Sequence, residues 1–221
     1  MVSEQLPDRT LRNDGKHTLY QFDVVGELPK RKSKTPTIFV AKNLISCHLF
    51  DYLKGFHIPT YFLSKEEENV KRVKHVTDLP FEITIRNVAS GEFATQFLLE
   101  ENTRLVTPVM DFHFSDKAFK HIHINESYLC AFGYIEPEEM KILVKQAGKI
   151  NAVLKSFFSR RNLHLDTICL RFGRTQSGNI VLAHELSPDT LFISEQEKVK
   201  KARFDLSENY TLAFYERVIG F

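Results

Sequence analysis

Residues 165–192 read LDTICLRFGRTQSGNIVLAHELSPDTLF, and the rest of the chain is organised around the element they form. Ile168, Leu170 and Phe172 alternate with Cys169 and Arg171, the period of a half-buried strand. Gln176, Ser177, Gly178 and Asn179 supply a polar turn, and Ile180, Val181 and Leu182 form the return. The stretch reads as a β-hairpin. Its second strand runs into His184 and Glu185 and then Ser187, Pro188 and Asp189, which places an imidazole and two carboxylates at a strand end where a pocket would be lined.

Working outward, a chain of 221 residues holds one large domain or two modest lobes, and 43% hydrophobic residues with 19 Phe suffice for a core. The formal net charge of +2 is far from the basic face that duplex binding demands, so no nucleic-acid partner is expected and anionic small molecules stay open. Cys47, Cys130 and Cys169 are odd in number and lack CxxC spacing, which argues against a disulfide framework or a zinc site and suits a reducing interior. The N-terminus is polar and no apolar run approaches the roughly 18 residues of a membrane span. The expectation is a soluble, cytoplasmic protein without membrane association.

Residues 1–16, with Pro7 and Gly15, read as a loose leader. Leu19, Tyr20, Phe22, Val24 and Val25 suggest a strand, and the basic run from Lys30 to Lys34 reads as a solvated loop. After the short apolar run Ile38-Phe39-Val40, the positions Leu44, Ile45, Leu49, Tyr52 and Leu53 form a helical stripe from about Lys42 to Lys54, closed by Gly55. Phe56 to Phe62 leads into a second strand, followed by a charged patch from Lys65 to Lys74. Phe81, Ile83 and Ile85 alternate with Glu82, Thr84 and Arg86, a strand that turns at Asn87, Ser90 and Gly91, with Phe93 to Leu99 expected to return. Val109 to Phe114 is a further strand. A short helix is expected from Asn125. The strongest helix follows: Pro137 stands in its first turn with Glu138 and Glu139, and Met140, Leu143, Val144, Ala147, Ile150, Leu154 and Phe157 share one face. Tyr210 to Val218 forms the last helix.

Other groupings are weaker. His121 and His123 would share one side of a strand near His113, but no third metal ligand follows from spacing. Ser46, Cys47 and His48 are neighbours on a helix and point in different directions, which disfavours a nucleophile-base pair. Neither GxxxxGK[ST] nor GxGxxG occurs, so there is no ready-made phosphate loop.

Taken together, several segments resemble the SAICAR synthetase family, ligases that use ATP to join aspartate to carboxyaminoimidazole ribonucleotide in purine biosynthesis. Ser46-Cys47-His48-Leu49-Phe50 with Ile58-Pro59-Thr60 is similar to the family's helix and "GIPT" strand, and Phe81 to Ala89 to its "EVVVRN-A" strand. Asn125-Glu126-Ser127-Tyr128 with Phe132-Gly133, the helix through Ile150-Asn151, Leu170 with Phe172-Gly173, and Glu185 with Ser187-Pro188-Asp189 follow in the family's order. The resemblance implies an α+β fold, with a small β-rich N-terminal lobe over residues 1–78 and a larger lobe of antiparallel sheet and helices over residues 79–221. It implies ATP and magnesium as cofactors and an anionic nucleotide as substrate, and it leaves a homo-oligomer open. It further implies Lys201 and Arg171 as catalytic, Arg86, Ser90 and Asp189 as substrate-binding, and Glu185 and His184 at the metal.

The departures from the family cluster on polar positions. Tyr20 to Pro29 holds only Gly26 and no lysine pair where the family has a glycine- and lysine-rich hairpin over ATP phosphates. Thr167, Cys169 and Arg171 stand where members read "DFKLEFG", His184 replaces a metal-site aspartate, and Phe192 replaces an arginine. Glu92 and Ser115 replace a serine and a lysine, and Lys200-Lys201-Ala202 replaces "DKD". Magnesium is a hard cation that wants oxygen ligands around transferring phosphate, so exchanging two carboxylates for Arg171 and His184 predicts weak magnesium binding. Phe192 cannot reproduce a guanidinium's bidentate grip on an anion. Two readings follow: a SAICAR synthetase that still ligates, or a non-catalytic member that binds a nucleotide-like metabolite or a protein partner.

Overall fold

The computed structural model describes residues 9–13, 17–22, 38–119, 122–195 and 208–219. Val24 and Val25, the basic run Lys30 to Lys34, His121 and Lys201 lie outside them.

Two antiparallel sheets organise the chain. The first has four strands in the order β1-β2-β4-β3, from β1 (Arg9–Asn13), β2 (His17–Phe22), β3 (Phe62–Lys65) and β4 (Val70–Lys74). The second has the order β6-β5-β7-β8, from β5 (Val76–Ala89), β6 (Thr103–Phe114), β7 (Leu163–Thr175) and β8 (Ile180–Ala183), with β9 (Leu191–Glu195) also paired to β7. The sheets change over between Lys74 and Val76. They are also stitched at Thr60, which bridges Leu182 in parallel, with the Leu182 N–H donating to the Pro59 carbonyl at 3.0 Å.

The hairpin read from residues 165–192 is present as β7 and β8, and its periodicity has the expected consequence. Ile168 and Leu170 pair in register with Ile85 and Ile83, and all four are buried. That apolar face is covered by α4 (Pro137–Ser159), which buries Met140, Leu143, Ala147, Ile150, Leu154, Phe157 and Phe158. Pro137 is compatible with the first turn because its missing N–H has no intrahelical partner to lose there, and the Glu139 carboxylate accepts from the Glu136 N–H at 3.3 Å. Asn87 and Asn151 are buried and exchange two amide hydrogen bonds of 2.9 Å, fixing β5 against α4 without an unsatisfied amide. Helices α1 (Ile38–Lys54) and α5 (Glu208–Ile219) pack together, and α3 (Glu126–Ala131) begins at Asn125, whose side chain accepts from the Tyr128 N–H at 3.1 Å.

Four expectations need correction. Phe93 to Leu99 is not a returning strand: α2 (Gly91–Gln96) occupies it, started by Gly91 at φ 59° with its N–H held by the Glu101 carboxylate. Phe93 and Phe97 then pack at helical spacing, their tilted rings 4.8 Å apart between centroids, so their aromatic character does not report a strand. The leader contains β1, and the patch Lys65 to Lys74 contains β4, where Lys71 is only 1% exposed. β9 was not foreseen. The helix beginning at Lys42 starts earlier, at Ile38.

The β5–β7 register has one irregularity that matters later. Asp78 faces Gly173 and Glu82 faces Arg171, so β5 spends four residues where β7 spends two. Gly173 permits this bulge, since a Cβ there would lie 2.8 Å from Val76 Cγ2 and 3.2 Å from the Thr77 carbonyl oxygen. Gly173→Ala is expected to destabilise the protein by about 1–3 kcal/mol through this overpacking, read as a lowered midpoint in urea denaturation.

Candidate functional site

The face of the second sheet away from α4 is polar, and strand register lays it out in rows. Glu82 pairs with His113 on one side and Arg171 on the other, and Arg171 pairs onward with Ala183, next to His184. Thr84 pairs with Asp111 and Cys169. Arg86 pairs with Val109 and Thr167, and Thr167 with Phe192. Alternation along each strand therefore brings Glu82, Thr84, Arg86, Thr167, Cys169 and Arg171 to one surface.

Hydrogen bonds link these rows. Arg171 Nε donates to Glu82 Oε2 at 3.0 Å, with the glutamate side chain 11% and the arginine 37% exposed. His184 Nε2 lies 3.0 Å from Asp78 Oδ2, and His184 holds a left-handed φ of 61°. Arg86 Nε donates to Asp111 Oδ2 at 2.8 Å, and its guanidinium sits 5.0 Å from the Phe93 ring centroid. Thr84 Oγ1 and Cys169 Sγ are 3.5 Å apart. Ser90 caps α2 in an extended conformation without a side-chain capping bond.

The loop after β8 is held from beneath. Ser46 Oγ accepts from buried Lys71 Nζ at 3.0 Å and from the Leu186 N–H at 3.2 Å, anchoring the residue beside buried Glu185. Thr190 Oγ1 accepts from the Ser187 N–H at 3.1 Å and Ser187 Oγ from the Asp189 N–H at 3.2 Å, so the turn is fixed by its own side chains. The Asp189 carboxylate takes both its bonds from Lys42 Nζ, at 3.0 and 2.7 Å.

Of the residues singled out in the sequence, Arg86, Arg171 and Asp189 are thus each engaged by an opposite charge from a distant segment, and His184 by a hydrogen bond with Asp78. Glu185 is buried, Ser90 stands at the α2 start, and Lys201 lies outside the described residues. Sequence reasoning missed Asp78, Glu82, Lys42 and Lys71. Glu82 carried a signal, as an acid on the polar side of an alternating strand. Lys71 carried none, because a lysine inside a run of charges reads as exposed. Ser46, Cys47 and His48 do diverge: Cys47 Sγ turns to Asn43 Oδ1, with burial pushing its thiol up to about 11, and His48 packs on Phe157.

Magnesium does not fit these residues. Glu185 offers oxygen, but its neighbours at the implied metal positions are an imidazole and a guanidinium already engaged with carboxylates. Among the described residues no group of three or more His, Cys, Asp or Glu is arranged to hold a metal ion. A separate cavity of about 850 Å³ is lined by Pro59, Lys74, Glu139, Ile142, Gln146 and the turn from Thr175 to Val181. It lies at the opposite end of β8 from His184 and contains none of the residues nominated above.

Comparison with known proteins agrees with the architecture. The SAICAR synthetase sequence profile matches residues 30–207. The chain belongs to the SAICAR synthetase family. A phosphoribosylaminoimidazole-succinocarboxamide synthase from Deinococcus radiodurans is 37% identical over 165 residues, covering 73% of this chain and 70% of that protein. The corresponding synthase from Chloroherpeton thalassium is 34% identical over 188 residues, covering 82% and 80%. Among solved structures, a SAICAR synthetase in complex with ADP superposes with a TM-score of 0.84 at 24% identity, covering 97% of this chain and 96% of that one. A SAICAR synthetase from Pyrococcus horikoshii gives 0.82 at 24%, covering 96% and 98%. The α+β fold and the place in a purine-biosynthesis family therefore stand as read from the sequence, and no helix among the described residues is long and apolar enough to cross a membrane.

One acid next to a family position makes a measurable contribution. Asp166, beside Thr167, is pushed up to about 6 by burial, against the opposing pull of a 2.9 Å hydrogen bond from Ser194 Oγ and the charge of Arg104. Its folded value lies above the ordinary 3.8, so its stabilising contribution is full below about pH 4 and is lost as pH rises through about 6. Asp166→Asn is expected to flatten this part of the pH-stability profile and to raise stability near neutral pH by at most about 3 kcal/mol, measured by urea denaturation across pH.

Proposed function

We propose that this SAICAR synthetase-family protein keeps a cleft for an anionic nucleotide and has lost the magnesium-dependent ligation of aspartate to carboxyaminoimidazole ribonucleotide. The carrying observation is that two positions implied to hold metal carboxylates are Arg171 and His184, bonded to Glu82 and Asp78. ATP-driven ligation must neutralise phosphate oxygens as charge moves between them, and the relatives' chemistry assigns that task to a hard cation. The anion would instead meet Arg86, whose guanidinium is fixed by Asp111 and Phe93, with Ser90 and Asp189 as further substrate contacts by resemblance. We assign the lobes to residues 1–78 and 79–221. The relative solved with ADP supports a nucleotide-type ligand, and the free cysteines suit a cytoplasmic setting.

A second reading, retained ligation, has one specific observation in its favour. Arg171 engages Glu82 through Nε, which leaves its terminal nitrogens available to phosphate, with Lys201 serving as the catalytic lysine.

The two readings separate in one assay. With the ribonucleotide, aspartate and magnesium-ATP, no succinocarboxamide product is expected, and turnover would sink the first reading. In calorimetry the ribonucleotide alone is expected to bind, with Arg86→Ala weakening it about tenfold or more, the scale of one charge-assisted contact.

A further inference from the structure

We infer that Arg171 is a resident counter-ion that holds Glu82 in place of a divalent cation, while His184 occupies Asp78 through a hydrogen bond, so that these positions do not recruit a metal. The inference rests on the non-ligating reading above and goes further, because it assigns a role to the replacements instead of treating them as losses.

Three observations carry it. First, the two replaced positions are paired by two acids of one strand, each at 3.0 Å, although they come from β7 and from the loop after β8. Independent drift would not be expected to give both replacements an acid from the same strand. Second, one of those acids needs a special backbone to get there. The β5 bulge between Asp78 and Glu82 sets the position of Asp78, and the close approach of Val76 and Thr77 to Gly173 is what lets the bulge pack on β7. His184 meets Asp78 from a left-handed backbone, a conformation that costs a non-glycine residue on the order of 1 kcal/mol or more and persists where surroundings fix it. Third, Glu82 is sheltered. It is 9% exposed, and a carboxylate so removed from water requires a compensating charge, whereas the Asp78 side chain is 56% exposed and requires none. A guanidinium already hydrogen-bonded to Glu82 supplies it permanently.

This arrangement also predicts what restoration would do. Arg171→Glu with His184→Asp would remove the guanidinium and the imidazole and set two more carboxylates beside Glu82 and Asp78, hard oxygen ligands that repel one another until a cation joins them.

The test uses the full chain and Mn²⁺ alone, followed by electron paramagnetic resonance, with melting temperature in EDTA and in MgCl₂ as a second readout. The wild-type protein is expected to leave the free Mn²⁺ signal undiminished and to melt at the same temperature in both conditions. The double variant is expected to melt lower in EDTA, to recover in MgCl₂ and to take up about one equivalent of Mn²⁺. Stoichiometric Mn²⁺ binding by the wild type, or a double variant indifferent to metal, would overturn the inference. If the double variant does not fold, Arg171→Gln serves instead: Mn²⁺ uptake gained over wild type supports the inference and none overturns it. Mn²⁺ bound by a wild type that forms no product would defeat this inference alone, whereas product formation defeats the reading on which it rests.

Discussion

The antiparallel pairing of β5 with β7 is the constraint on which the rest of the structure depends. It is the central pair of the second sheet, and its register decides which side chains go to the core and which to the opposite, polar face. With side chains alternating at a period of two, one choice of register sends Ile83, Ile85, Ile168 and Leu170 to α4 and Glu82, Thr84, Arg86, Thr167, Cys169 and Arg171 to the other face. A slip by one residue would bury the charges and expose the isoleucines. The reciprocal Asn87–Asn151 bonds reinforce the same choice from the helix side, since any other placement would leave two buried amides unpaired.

On the polar face, charged groups are partnered nearly residue by residue. Arg86 has Asp111, Arg171 has Glu82 and Asp189 has Lys42, while Asp78 shares a hydrogen bond with His184. In a partly desolvated cleft such pairs set geometry and specificity more than net stability. A cleft built to recruit a divalent cation would instead hold an excess of carboxylate oxygens.

The helices and the hairpin were legible because their signals are local. Pro137 with the following acids and the stripe from Met140 to Phe157 specify α4 from contiguous residues, as alternation specifies β7. The failures share the opposite cause. Phe93 to Leu99 has strand-like composition, but Gly91 and a carboxylate ten residues away, Glu101, set it turning as a helix. Lys71 looks like any surface lysine until Ser46, Phe50 and Tyr61 close around its stem, with its ammonium 5.7 Å from one ring and 6.0 Å from the other.

By itself, then, the sequence was enough for the hairpin and the long helix through periodicity, and for the fold class and the family through ordered short motifs, because both kinds of signal survive reading one residue at a time. It marked Arg171 and His184 as departures. Only the tertiary structure decided what those departures meet, since Glu82 and Asp78 lie 89 and 106 residues away and reach them through strand register and a bulge. Register is settled by summed packing across the whole sheet, and no local pattern encodes which acid will stand opposite which cation.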